Sequence, residues 1–111
     1  MTESIELLDP AAFAAALQSA RPPIVVDVRH PEAFALGHVP HSRNIPVHDL
    51  GRRRADLPAS RAERLLVVGD HRRRTLAAAR FLLLMGFGDV AVLGGGVAAY
   101  DGPLERGPDL D

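Results

Sequence analysis

The 111-residue sequence contains no cysteine, no lysine and no tryptophan. Without a thiol, disulfides, thiolate metal sites, persulfides and cysteine nucleophiles are all excluded within this chain. Without a lysine, no Walker-type phosphate lysine exists, and all thirteen basic residues are arginine. Together with abundant alanine, that composition fits a GC-rich, bacterial genome. No apolar run approaches the eighteen residues of a membrane span. The N-terminal MTESIELLDP carries acids where a secretory signal needs positive charge. A cytoplasmic location is therefore the expectation. The chain also lacks a basic excess: the formal net charge is −1. Neither general nucleic-acid binding nor a membrane-surface role is expected.

What is present reads as one domain over residues 1–111, with a core from about 5 to 100 and a polar tail over 101–111. A chain of this size buries roughly two thirds of its unfolded surface, enough for a core without staples. Three short apolar runs, residues 24–28, 65–68 and 90–93, lie between turn signals and have the composition of strands buried on both faces. A shorter strand is expected over Arg43-Asn44-Ile45, ended by Pro46. Helical segments alternate with these strands. Asp9 is expected to cap a helix that Pro10 opens and Pro22-Pro23 stops, and His30-Pro31-Glu32 opens a brief turn closed by Gly37. Residues 47–60 read as a surface helix or loop. From Thr75, TLAAARFLLLMGF predicts a helix terminated at Gly86, and Val97 to Tyr100 a last helical turn. Strands alternating with helices predict an α/β fold, with a small parallel sheet of about five strands covered on both faces.

In such sheets ligands bind beyond the carboxyl ends of the strands, where loops lead into helix N-termini. The stretch VVGDHRRRT, residues 67–75, occupies that position. Amide N–H groups at a helix start attract anions, whereas cations there are unfavourable, so Arg72, Arg73 and Arg74 break a local rule. Rule-breaking is expected at functional sites. The competing reading is a solvated turn in which Asp70 caps the helix and neutralises one arginine. Elsewhere, Gly94-Gly95-Gly96 lacks the G-x-G-x-x-G spacing of a nucleotide loop and reads as a tight turn needing positive φ. His38, His41 and His48 make a poor metal cluster, because Pro40 interrupts the helix that would align the first two and no acid falls at a convincing spacing. No metal and no cofactor are expected. Ser4, Ser19, Ser42 and Ser60 lie in no nucleophile-elbow context. Asp27 and Arg29 flank Val28 and project to one face, as an ion pair or loop anchor would.

Residues 24–46, IVVDVRHPEAFALGHVPHSRNIP, resemble the first signature of the rhodanese-like domain family: a strand ending in D-x-R, an acidic turn, G-H-[IV]-P and N-I-P. Asp27, Arg29, Glu32, Gly37, His38, Val39, Pro40, Asn44, Ile45 and Pro46 match. Gly86-Phe87 and VAVLGGGVAAY, residues 90–100, resemble the family's G-F segment, last strand, double glycine at Gly95-Gly96, and terminal helix. Tyr100 stands where an aromatic residue is usual. The likeness runs from about Ile5 to Tyr100. It implies a small parallel α/β sheet, agreeing with the reading above.

Sulfurtransferases of that family move a sulfane sulfur from a donor such as thiosulfate onto a cysteine that opens a C-R-x-G-x-R-S loop, then onto a thiophilic acceptor. The resemblance aligns Arg74-Thr75 with the closing R-S and Gly69 with the cysteine. Asp70 replaces the usual arginine and Arg72 the usual glycine. The loop frame is retained without its nucleophile, and Gly69→Cys is expected to restore little, because Asp70 opposes a thiolate. The first expectation is thus a non-catalytic domain. Its loop, Gly69, Asp70, His71, Arg72, Arg73, Arg74 and Thr75, would bind sulfate, phosphate, thiosulfate or an acidic protein segment, in a regulatory or sulfur-related role. Two alternatives stand beside it: a weak or divergent enzyme, of the sulfurtransferase kind or using Asp70 or His71 on a phosphoryl or acyl substrate, and a structural or dimerising module. The sequence names neither partner nor oligomeric state.

Overall fold

The computed structural model describes residues 5–108. Five parallel strands form one sheet in the order β1-β5-β4-β2-β3. They are β1 (Glu6–Leu8), β2 (Ile24–Asp27), β3 (Arg43–Asn44), β4 (Leu65–Val68) and β5 (Val90–Leu93). The helices are α1 (Pro10–Leu17), α2 (Pro31–Leu36) and α3 (Arg72–Leu84), with 3₁₀ turns at Val47–Asp49, Arg54–Asp56 and Val97–Ala99. This is the α/β architecture expected from the alternation of apolar runs and helical segments.

Alternation along the central strands divides the core in two. Val26, Leu65, Val67 and Val92 face Ala78, Ala79 and Leu82 of α3, with Phe87 closing the end. Val25, Leu66, Val68, Ala91 and Leu93 face Phe13 of α1, against which Tyr100 packs edge-on at 5.9 Å. Every residue of β4 and β5 is buried, which is why both runs are continuously apolar. Asp9 caps α1 as expected, its Oδ1 accepting from the Ala12 N–H at 2.8 Å, and Pro10 fills the first helical position.

Two expectations need correction. β1 was not foreseen. Its three residues are too few to show a period, and it is an edge strand whose Leu7 stays half exposed. Helix α3 begins at Arg72, not Thr75. The arginines oppose the helix dipole, yet arginine is a good helix former, and the buried face at Thr75, Ala78, Ala79 and Leu82 decides the phase. The arginines are therefore the first turn of a helix rather than a loop. Among the described residues, no helix is long and apolar enough to cross a membrane.

Candidate functional site

The carboxyl ends of β2, β4 and β5 meet at one edge of the sheet, and the site is built there. Gly69 directly follows β4 and is buried, whereas residues 70–74 are exposed. The Gly69 carbonyl accepts from the Val97 N–H at 3.0 Å, which ties this loop to the turn after β5. That turn has to be glycine. Gly95 and Gly96 sit at φ +82° and +69°, and a Cβ on Gly96 would come within 2.5 Å of the Gly69 carbonyl oxygen.

The side-chain space at Gly69 is taken. A Cβ built there would overlap the Thr75 Oγ1 and lie 3.2 Å from the Thr75 Cβ. Thr75 is buried, and its hydroxyl donates to the His71 carbonyl at 2.8 Å, one turn back in the helix. Its own amide donates to the same carbonyl at 2.9 Å. The amides of residues 70–74 find no backbone acceptor among the described residues. His71 is the N-cap and makes no side-chain cap bond, and Asp70 neither caps the helix nor pairs with an arginine among the described residues. The turn thus presents uncapped N–H groups and uncompensated guanidinium groups, an arrangement that favours anions.

The three arginines do not form one cluster. At about 100° per residue, consecutive side chains of a helix diverge. Arg72 lines a hollow of about 320 Å³, walled by Leu7, Val92, Leu93 and the Gly94–Gly96 turn. Arg74 lines a smaller hollow of about 30 Å³ on the other side, with Arg29, His30 and His48. Gly69, Asp70 and Thr75 border both, and Arg73 borders neither. Leu7, Val92 and Leu93 are wall residues that the sequence pattern does not point to, and Leu7 lies on a strand that the pattern also leaves out.

The floor of the smaller hollow is fixed by a buried network. The Arg29 Nη2 donates to Asp27 Oδ2 at 2.8 Å and to the Gly37 carbonyl at 2.8 Å, and the Nε donates to both Asp27 oxygens at 3.0 and 3.1 Å. The Asn44 side-chain amide donates to the Asp27 and Arg29 carbonyls at 3.1 and 2.9 Å. One ion pair therefore joins β2, the end of α2 and β3, with every charge hydrogen-bonded. Glu32 lies exposed in the first turn of α2, and Pro40 and Pro46 flank β3.

The histidines go separate ways. His38 stacks on Phe34 with centroids 3.7 Å apart, its Nδ1 is 2.9 Å from the Phe34 carbonyl, and its Nε2 faces Glu105 at 3.7 Å. His41 turns outward at φ +66°, and His48 borders the small hollow. No group of three potential metal ligands forms among the described residues. Ser19 and Ser42 donate to local carbonyls at Ala16 and Val39, and Ser60 accepts from the Ala62 N–H. Ser4 lies outside the described residues.

Residues 9–102 match the family described as Rhodanese-like domain. Thiosulfate sulfurtransferase GlpE of Pseudomonas putida is 40% identical over 75 residues, covering 66% of this chain and 64% of that protein. The Pseudomonas aeruginosa GlpE is 40% identical over 74 residues, covering 65% and 64%. The match spans just under two thirds of the length of these curated relatives. Among solved structures, the Alr3790 protein from Anabaena superposes with a TM-score of 0.80 at 28% identity, over 89% of this chain and 82% of that one. A thiosulfate sulfurtransferase from Pseudomonas aeruginosa superposes at 0.76 and 28% identity, over 86% of this chain and 18% of that one.

Proposed function

This chain belongs to the rhodanese-like domain family, and from that premise we infer that it does not transfer sulfur and keeps the family's loop as an anion-binding site. The pairing of Gly69 with Thr75 carries the inference. At the position that aligns with the nucleophile there is no side chain, and the space one would need holds the Thr75 hydroxyl. Sulfur transfer needs a thiolate to take the sulfane sulfur while sulfite leaves, and the chain has no cysteine. The anion-favouring features are independent of that thiol. The uncapped amides of the α3 N-terminus lie between Arg72 beside the larger hollow and Arg74 beside the smaller. Sulfate, phosphate, thiosulfate or the carboxylate of an acidic protein segment satisfies that chemistry. The divergent-enzyme alternative finds less support, since among the described residues neither Asp70 nor His71 has a side-chain hydrogen bond to orient it as base or nucleophile.

The test is the purified chain with thiosulfate and cyanide. Thiocyanate is expected at the rate of a protein-free control, and a clear rate above it overturns the assignment. Titration with sulfate, followed on the amides of Gly69 to Thr75, should give saturable shifts. No response at tens of millimolar overturns the anion site.

A further inference from the structure

Arg73 borders neither hollow, and it opens a different surface. Arg73, Ala77, Arg80 and Leu84 stand at i, i+4, i+7 and i+11 of α3, on one line opposite the buried Thr75, Ala78, Ala79 and Leu82. All four are exposed, Leu84 by 82%. Phe81 flanks the line, 40% exposed, and its other edge lies against Gly51. The line spans about 16 Å, basic at its start and apolar at its end.

The charge on this helix is segregated. Its 13 residues, RRRTLAAARFLLL, carry four arginines and no acid, in a chain whose net charge is −1. The ion pairs among the described residues use Arg29, Arg52, Arg53 and Arg64, never an α3 arginine. A single exposed leucine is ordinary. An exposed leucine and phenylalanine continuing a line of uncompensated arginines form a two-part surface, in which each part specifies its complement.

We propose that the outward face of α3 docks an acidic amphipathic helix of a partner protein. Its carboxylates lie opposite Arg73 and Arg80, and its apolar side chain seats between Phe81 and Leu84. Charge complementarity selects this occupant. A second copy packed on the same face would bring together two helices that each carry four arginines and no acid. An anionic membrane surface calls for a broad apolar face sunk among headgroups, whereas here the apolar part is two residues wide. The surface is independent of whether the turn at Gly69 holds an anion.

The probe is a staple-stabilised synthetic helix of about 14 residues, long enough to cover the line. Glutamates stand one turn apart over its first half and leucines over its second. Titrated into the full chain, it should shift the amides of Arg73, Ala77, Arg80, Phe81 and Leu84. Its affinity should fall about tenfold in the Arg73→Glu/Arg80→Glu variant and again in Leu84→Ser, and weaken with salt. All three positions are exposed, so the variants keep the amide spectrum of the core. Equal binding of the lysine version of the peptide, or unchanged affinity in the variants, overturns the proposal. So do shifts confined to residues 69–75, anionic vesicles binding where the peptide does not, or concentration-dependent shifts of these amides without peptide. A parallel sulfate titration reports on residues 69–72, 74 and 75, and the peptide on Ala77, Arg80, Phe81 and Leu84, so the two sites fail independently.

Discussion

Gly69, the position that the family resemblance aligns with a cysteine, has its side-chain space already filled. Thr75 Oγ1 occupies the place of the missing Cβ. Gly69→Cys should therefore destabilise the fold by about 1–3 kcal/mol through overpacking. Thr75→Ala in the same chain should recover most of that loss, a non-additivity that urea unfolding of the two single variants and the double variant measures. A Gly69→Cys protein as stable as the parent contradicts the packing described here. The Asp27–Arg29 pair makes the opposite kind of prediction. Both groups are buried and bonded only to each other and to backbone groups, so Arg29→Ala should cost about 3–5 kcal/mol by leaving a carboxylate alone. The sequence foretold that these two residues project to one face, because they flank Val28 on an extended segment. It could not foretell that Gly37 and Asn44 complete the network, since those contacts depend on how α2 and β3 return to the sheet. The Gly69–Thr75 contact was equally hidden, because a residue six positions downstream approaches a strand end only once the helix phase is known.

At the scale of the element, α3 carries both proposed surfaces, and it starts three residues before the Thr75 that the sequence pattern predicts. A run of arginine looks like a loop because cations oppose the helix N-terminus, but burial of Thr75, Ala78, Ala79 and Leu82 outweighs that preference. Once the helix starts at Arg72, the divergence of Arg72, Arg73 and Arg74 to three destinations follows from its pitch alone. A trade-off results. Arg72→Glu should raise the urea midpoint in plain buffer, because an acid suits the first turn, while weakening sulfate binding at the amides of residues 69–75. Loss of both stability and binding would contradict the account. In the core beneath, Leu82→Ala should cost about 2–5 kcal/mol, while Arg73→Ala stays within about 0.5 kcal/mol. Thermal or urea unfolding distinguishes the buried face of the helix from the docking face.

For the whole molecule, the architecture was legible because the three central strands are buried on both faces and are therefore unbroken apolar runs, with turn residues on either side. β1 was not legible. Three residues at a sheet edge carry no periodicity, and Glu6 and Leu7 are both exposed. Its placement matters, because Leu7 walls the larger hollow and makes the site partly apolar. If that site binds anions only in the folded chain, sulfate must stabilise the whole fold by mass action, by about 2.7 kcal/mol at a hundred times the dissociation constant. Chloride at matched ionic strength should not reproduce the rise in Tm, and equal effects of the two salts would reduce the site to general screening.

The most direct measurement of the central claim is a titration of the intact chain with thiosulfate, following backbone amides while assaying sulfite. An anion cradle that has lost its nucleophile predicts saturable shifts at residues 69–75 and thiosulfate recovered unchanged. Sulfite release above the protein-free level, or amides that do not respond, would contradict it.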